Sequence, residues 1–130
     1  MDAPQHNLVL IVARDFASRL ATPVFLVDPD GTLLFFNEAA EAVLGQPFRE
    51  GAGMPVEEWS TVFSPADEDG APLPLQDLPL GVALVRRVPA HRALRIVGRD
   101  GVARGIEVTA FPLFAHADEF VGAVAIFWEH

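Results

Sequence analysis

Residues 23–45 read PVFLVDPDGTLLFFNEAAEAVLG, and the way turn chemistry divides the apolar runs decides the fold. Val24 to Val27 is short, branched and aromatic, which suits a strand. Asp28-Pro29-Asp30-Gly31 is a turn. Pro29 pre-sets its own φ, the aspartates can accept from nearby backbone N–H groups, and Gly31 takes a positive φ without steric cost. Thr32 to Phe36 is a second strand, so the pair is a β-hairpin. Asn37 suits a helix N-cap, and Glu38 and Glu41 lie in the first turn, where the helix dipole favours negative charge. Ala39, Ala40, Val43 and Leu44 share one helical face. Gly45 suits the residue just past the helix, and Pro47 opposes its resumption. Both strands are apolar on both faces, so both faces are expected to be covered.

Working outward, Asn7 to Leu20 is expected to be a helix capped by Asn7, with Val9, Val12, Ala13, Phe16 and Leu20 in one stripe. Leu8, Leu10 and Ile11 add apolar surface off that stripe, so the helix should touch two things: the domain's own sheet and a second copy of the chain. The competing reading is a strand over Leu8 to Val12, where β-branched residues abound. Glu50 to Pro72 is irregular, with a helical turn at Val56 to Phe63 and an acidic tip at Asp67-Glu68-Asp69. Trp59 and Phe63, spaced i, i+4, pin this region to the core. Leu78 to Arg87 is a second helix, with Asp77 as cap and Pro79 in its first turn. Ala93 to Val97, a turn at Gly98-Arg99-Asp100-Gly101, and Val102 to Phe114 form a second hairpin, with Pro112 marking a bulge or edge position. Phe120 to Trp128 is a last strand, apolar on both faces. The expected architecture is α+β: an antiparallel sheet, short helices on one face and an N-terminal flanking helix.

At 130 residues the chain is expected to be one domain, with 51% hydrophobic residues, no cysteine and a net charge of −9. The absence of cysteine excludes disulfides, thiolate nucleophiles, thiolate metal ligands and cysteinyl cofactor adducts. The negative charge disfavours nucleic acid and anionic lipid as partners. The apolar run Leu8 to Ala13 is far too short to span a membrane, and Met1-Asp2-Ala3-Pro4 lacks the positive charge of a signal peptide, so a cytoplasmic location is expected.

The order of elements and the stretch FLVDPDGTLLFFNEAAEAVLG together resemble the PAS domain family, over about Phe16 to Trp128. LPLGVALVRR resembles the long helix of that family, and RIVGRDGVARGIEVTAFPLF and VGAVAIFWE resemble its last strands. The resemblance implies a five-stranded antiparallel sheet in the order 2-1-5-4-3, residues 21–130 as the core domain, and a cavity between sheet and helices. It also implies that residues 1–20 form a flanking helix that often dimerises, which makes Val9, Val12, Phe16 and Leu20 the candidate interface. Departures limit the carry-over. Photoadduct and thiol-linked chromophore members need a cysteine, and haem-binding members use a histidine on the long helix, which Leu78 to Arg87 lacks; His91 lies just beyond. The cofactor is therefore left open.

The remaining chemistry is thin. His6, His91, His116 and His130 are too scattered for a zinc site. Ser18, Ser60 and Ser64 have no nucleophile-elbow context. Six of the nine arginines fall between Arg86 and Arg104; Arg86, Arg87, Arg92 and Arg95 form either an anion site or docking patch for an acidic partner, or the ordinary polar face of a sheet, and the second is preferred. Phe25, Phe36, Trp59, Leu84, Ile96, Val108 and Ile126 are the candidate lining of a ligand cavity, unless they fill it as plain core. No kinase, cyclase, phosphatase or DNA-binding segment is expected after Trp128, so the expected output is a change of shape, dimer state or partner affinity. The function expected is that of a non-catalytic sensory or signalling module, expected by resemblance to be a homodimer, which binds a small apolar or aromatic ligand or a protein partner. The alternatives are a ligand-free dimerisation or scaffolding domain and, from another class, a small cone-shaped isomerase with a buried acid as base.

Overall fold

The computed structural model describes residues 4–49, 53–116 and 118–129. Glu50 and Gly51 of the expected irregular stretch, and Ala117 of the last loop, lie outside these residues. The chain runs α1 (Pro4–Ser18), β1 (Val24–Val27), β2 (Leu33–Phe36), α2 (Glu38–Leu44), α3 (Val56–Val62), a single 3-10 turn (Leu75–Asp77), α4 (Pro79–Val85), β3 (Ala90–Val97), β4 (Ala103–Phe114) and β5 (Phe120–Glu129). The five strands form one antiparallel sheet in the order β2-β1-β5-β4-β3.

The opening hairpin is built as its chemistry requires. Asp28 Oδ1 accepts from the N–H groups of Asp30 and Thr32, at 2.9 and 3.0 Å, and Gly31 adopts φ +87°. Asn37 caps α2 by accepting from the Ala40 N–H at 3.0 Å, and Gly45 closes the helix in the left-handed conformation.

Over β1 and β5 the sheet is covered on both sides, which is why these two strands are apolar almost throughout. Strand alternation sends Phe25 and Val27 toward α2, α3 and α4, and Val24 and Leu26 toward α1. Helix α1 seats Leu10, Ala13 and Ala17 on its side of the sheet, and the two alanines allow close approach. Pro112 lies beyond the end of β3, where β4 has a neighbour on one side only, and a register irregularity follows at Leu113/Phe114.

Three expected details differ. Asn7 lies inside α1, which already runs at Pro4, a residue suited to a first helical turn. Asp77 belongs to the 3-10 turn and caps nothing: the residue ahead of α4 is Leu78, and Pro79 at the start of the helix removes one N–H that would otherwise need a partner. Helix α4 also ends at Val85, two residues early, because Arg87 turns the chain with φ +59°.

Candidate functional site

Between the sheet and the layer of α3 and α4 lies a cavity of about 90 Å³. Its floor is Phe25 of β1, Leu94 and Ile96 of β3, Ile106 and Val108 of β4, and Ala125 and Phe127 of β5. Its roof is Trp59 and Phe63 at α3 and Leu78, Pro79 and Leu80 at the start of α4, with Leu44 and Pro65 at the sides. Every one of these side chains is apolar except for the indole N–H of Trp59. That group is turned away, donating to the carbonyl of Gly31 at 2.6 Å. No polar side chain among the described residues faces into the cavity. Its volume is smaller than the roughly 150 Å³ apolar cavity that takes up benzene in an engineered core. A ring-sized guest therefore needs the roof to move.

Of the expected lining residues, Phe25, Trp59, Ile96 and Val108 line this cavity. Phe36 is buried in the same core, stacked on Phe25 with ring centroids 6.0 Å apart, but sits on the edge strand outside the cavity. Leu84 packs against that core without lining the cavity. Ile126 faces the other side of the sheet, among the residues under α1; its neighbours Ala125 and Phe127 take the cavity side by strand alternation. Sequence reasoning passed over Leu78, Leu80, Leu94 and Phe127. The period-2 pattern of β3 was the available signal for Leu94, which sits two residues before Ile96.

At one end of the cavity layer the β3–β4 turn grips the C-terminus of α2. The Arg99 N–H donates to the last helical carbonyl, Leu44, at 2.8 Å, and Asp100 lies against Gly45 so closely that a Cβ there would overlap its backbone. Asp100 accepts from Arg104 through both oxygens, at 3.3 and 3.0 Å, and from the Val102 N–H at 3.0 Å. The hydrogen bonds from Arg104, then that from Val102, hold the Asp100 carboxyl below its ordinary pKa. The charged form is thus favoured by folding. Its contribution is complete above the unfolded value, about 3.9, and is lost as pH falls through the lower folded value. The stability gap between the native protein and Asp100→Asn is expected to be constant near neutrality and to close below about pH 4; denaturant titrations from pH 6 to pH 2 check this. A gap that survives to pH 2 would remove the ion pair from the account.

On the far side of the sheet, Leu8, Ile11, Val12 and Phe16 stand out from α1, and Phe16 is 64% exposed. Of the expected interface residues, Val12 and Phe16 belong to this outer stripe. Val9 is half-buried, and Leu20 packs toward the sheet. The arginines do not form one patch. Arg92 shares the parity of the inward residues Leu94 and Ile96, Arg95 lies on the opposite face of β3, Arg86 is exposed at the end of α4, and Arg87 stacks over the Phe120 ring at 4.5 Å. His91 pairs with Glu107 at 2.7 Å on the outer face.

A model of the PAS fold matches residues 17–129. Among solved structures, the chain is similar to the PAS domain of BvgS from Bordetella pertussis (TM-score 0.61, 15% identity, 93% of this chain and 84% of that one). It is also similar to the LOV protein of Rhodobacter sphaeroides (TM-score 0.69, 15% identity, 94% and 67%). A third similar structure is the PAS domain of nitrogen regulation protein NR(II) from Vibrio parahaemolyticus (TM-score 0.61, 16% identity, 92% and 98%). No curated protein matches the chain in sequence.

Proposed function

Because the chain belongs to the PAS fold family, we propose that it is a sensory or signalling module that reads a small apolar ligand through the cavity under α3 and α4 and passes the change to a second copy through α1. The observation that carries this is the combination of a cavity walled only by apolar side chains with a roof of short elements. Helices α3 and α4 have seven residues each. They are joined through Ser64, a non-glycine residue at φ +48°. Such short, strained elements move more readily than the sheet does. A guest larger than the cavity lifts the roof, the sheet responds, and α1 rides on the reverse side of the same strands.

The exposed stripe of α1 supports the dimer half of this reading, since four large apolar side chains on one short helix are unusual for a surface left in water. Val12→Asp with Phe16→Glu is expected to convert a dimer to a monomer with a change in thermal midpoint of only a few degrees, because neither side chain is part of the protomer's core. Sedimentation equilibrium checks it, and a native protein that is already monomeric at micromolar concentration removes this half of the proposal.

Native mass spectrometry against the denatured mass tests the ligand half: mass lost on denaturation supports it. Benzene serves as probe for the freshly purified protein. Binding to the folded state raises the melting temperature by linkage. Val108→Ile places one methylene in the cavity, adds at most about 0.8 kcal/mol of stability, and reduces the benzene-induced rise. A clean dimer with no added mass and no response to benzene favours the ligand-free dimerisation module, for which the small cavity is the supporting observation.

A further inference from the structure

Strand β3 is an edge of the sheet, and half of its outer side is already taken. Ala66 and Arg95 exchange both backbone hydrogen bonds, at 2.9 and 2.8 Å, and the Val97 N–H reaches the Phe63 carbonyl at 2.7 Å. Outward bonding at Arg95 and Val97 fixes the alternation, so the N–H and C=O groups of His91 and Ala93 also point away from β4. Among the described residues, none pairs with them. The segment that occupies the upper half turns back after Ala66, where Asp67 Oδ1 accepts from the Asp69 and Ala71 N–H groups. Ala66 is followed directly by the turn Asp67-Glu68-Asp69, which places Glu68 in the same groove as Arg95.

The carboxylate opposite Ala93, Glu107, is paired with His91, and Glu68 lies in the groove with Arg95. Arginines flank the open half: Arg92 lies on one face of β3, Arg95 on the other, and Arg86 stands at the end of α4; none of the three forms an ion pair among the described residues. This is a cationic edge on a chain of net charge −9. A second copy is a poor occupant, since edge-to-edge pairing sets arginine against arginine. We propose that the β3 edge at His91–Ala93 takes up an acidic extended peptide as a sixth strand. Its backbone satisfies the open groups, and carboxylates on both of its faces reach Arg92 on one side of the sheet and Arg95 on the other.

The test uses the full chain, isotope-labelled for amide NMR, and the acetylated, amidated peptide Glu-Glu-Val-Glu-Glu-Val, which carries carboxylates on both faces when extended. The expected result is shifted amide signals at His91 and Ala93 that also become protected from exchange, with binding that weakens in salt. Replacing each glutamate of the peptide by lysine, or changing the protein by Arg92→Glu with Arg95→Glu, is expected to weaken binding about tenfold or more. A peptide with every backbone nitrogen methylated is expected not to bind. Absence of binding, equal binding of the lysine or methylated peptide, or shifts centred on α1 each overturns the proposal. The peptide controls use the native protein, so the outcome does not depend on the double variant folding.

Discussion

Asn37→Ala is expected to lower the melting temperature by roughly 15 °C, the equivalent of about 4 kcal/mol for a domain of this size. Asn37 is 2% exposed and satisfies five backbone groups from three parts of the chain. Its Oδ1 accepts from the Val24 N–H and the Ala40 N–H, both at 3.0 Å. Its Nδ2 donates to the carbonyls of Ala17 and Thr22, both at 2.9 Å, and more weakly to that of Leu20 at 3.4 Å. The side chain therefore joins the end of α1, the start of β1 and the first turn of α2. Truncation orphans two buried donors and removes the amide from the Thr22 carbonyl, while the Ala17 carbonyl keeps only the Leu20 N–H, and each buried group left unsatisfied costs about 1–3 kcal/mol. Asn37→Asp separates this from a simple loss of volume. It keeps both accepted bonds but turns a second oxygen toward three carbonyls, so it is destabilised at neutral pH and partly recovers in acid, where the protonated carboxyl regains a donor. Thermal unfolding of both variants at pH 7 and pH 4 checks this. A fall of less than about 5 °C for Asn37→Ala would mean that water replaces the amide.

Asn37 was legible from sequence as a helix cap, because capping is local: an asparagine, two acids in the next turn and an apolar face all lie within one short stretch. Its longer bonds to Ala17 and Thr22 were not, since nothing in a local pattern says which carbonyls a buried amide meets. The same division runs through the cavity. Ile96 and Val108 were readable because β3 and β4 alternate between apolar and polar residues, as a half-covered strand does. Strand β5 is apolar on both faces, so its pattern carries no parity, and only the register that sets Ile126 opposite Thr109 and Val24 sends it toward α1. Arg92 and Arg95 were grouped by nearness in sequence, yet a separation of three along a strand puts them on opposite faces. The size of the cavity was beyond sequence reading altogether, because it is set by how closely two backbones approach.

The packing of α4 against the 3-10 turn depends on one residue, Gly81, and it supplies a test in which two physical effects have opposite signs. Gly81 is buried in the middle of α4, and there Ala is intrinsically the better helix former by about 1 kcal/mol. On propensity alone Gly81→Ala stabilises the protein. In the fold, however, a Cβ at this position would overlap the carbonyl oxygen of Leu75 and sit 2.8 Å from its carbonyl carbon. These are backbone atoms of the 3-10 turn packed on α4, so no side-chain rotation relieves the clash; the turn or the helix has to move. The residues displaced with α4 are Leu78, Pro79 and Leu80, which roof the cavity. Overpacking of this kind costs about 1–3 kcal/mol and more when backbone is the obstacle, so the net change is a destabilisation of about 2 kcal/mol or more. Val85→Ala, at the exposed end of the same helix, changes stability by no more than about 0.5 kcal/mol. Urea denaturation of the two variants beside the native protein decides the matter. If Gly81→Ala is as stable as the native protein or more so, α4 does not lie against Leu75 as described.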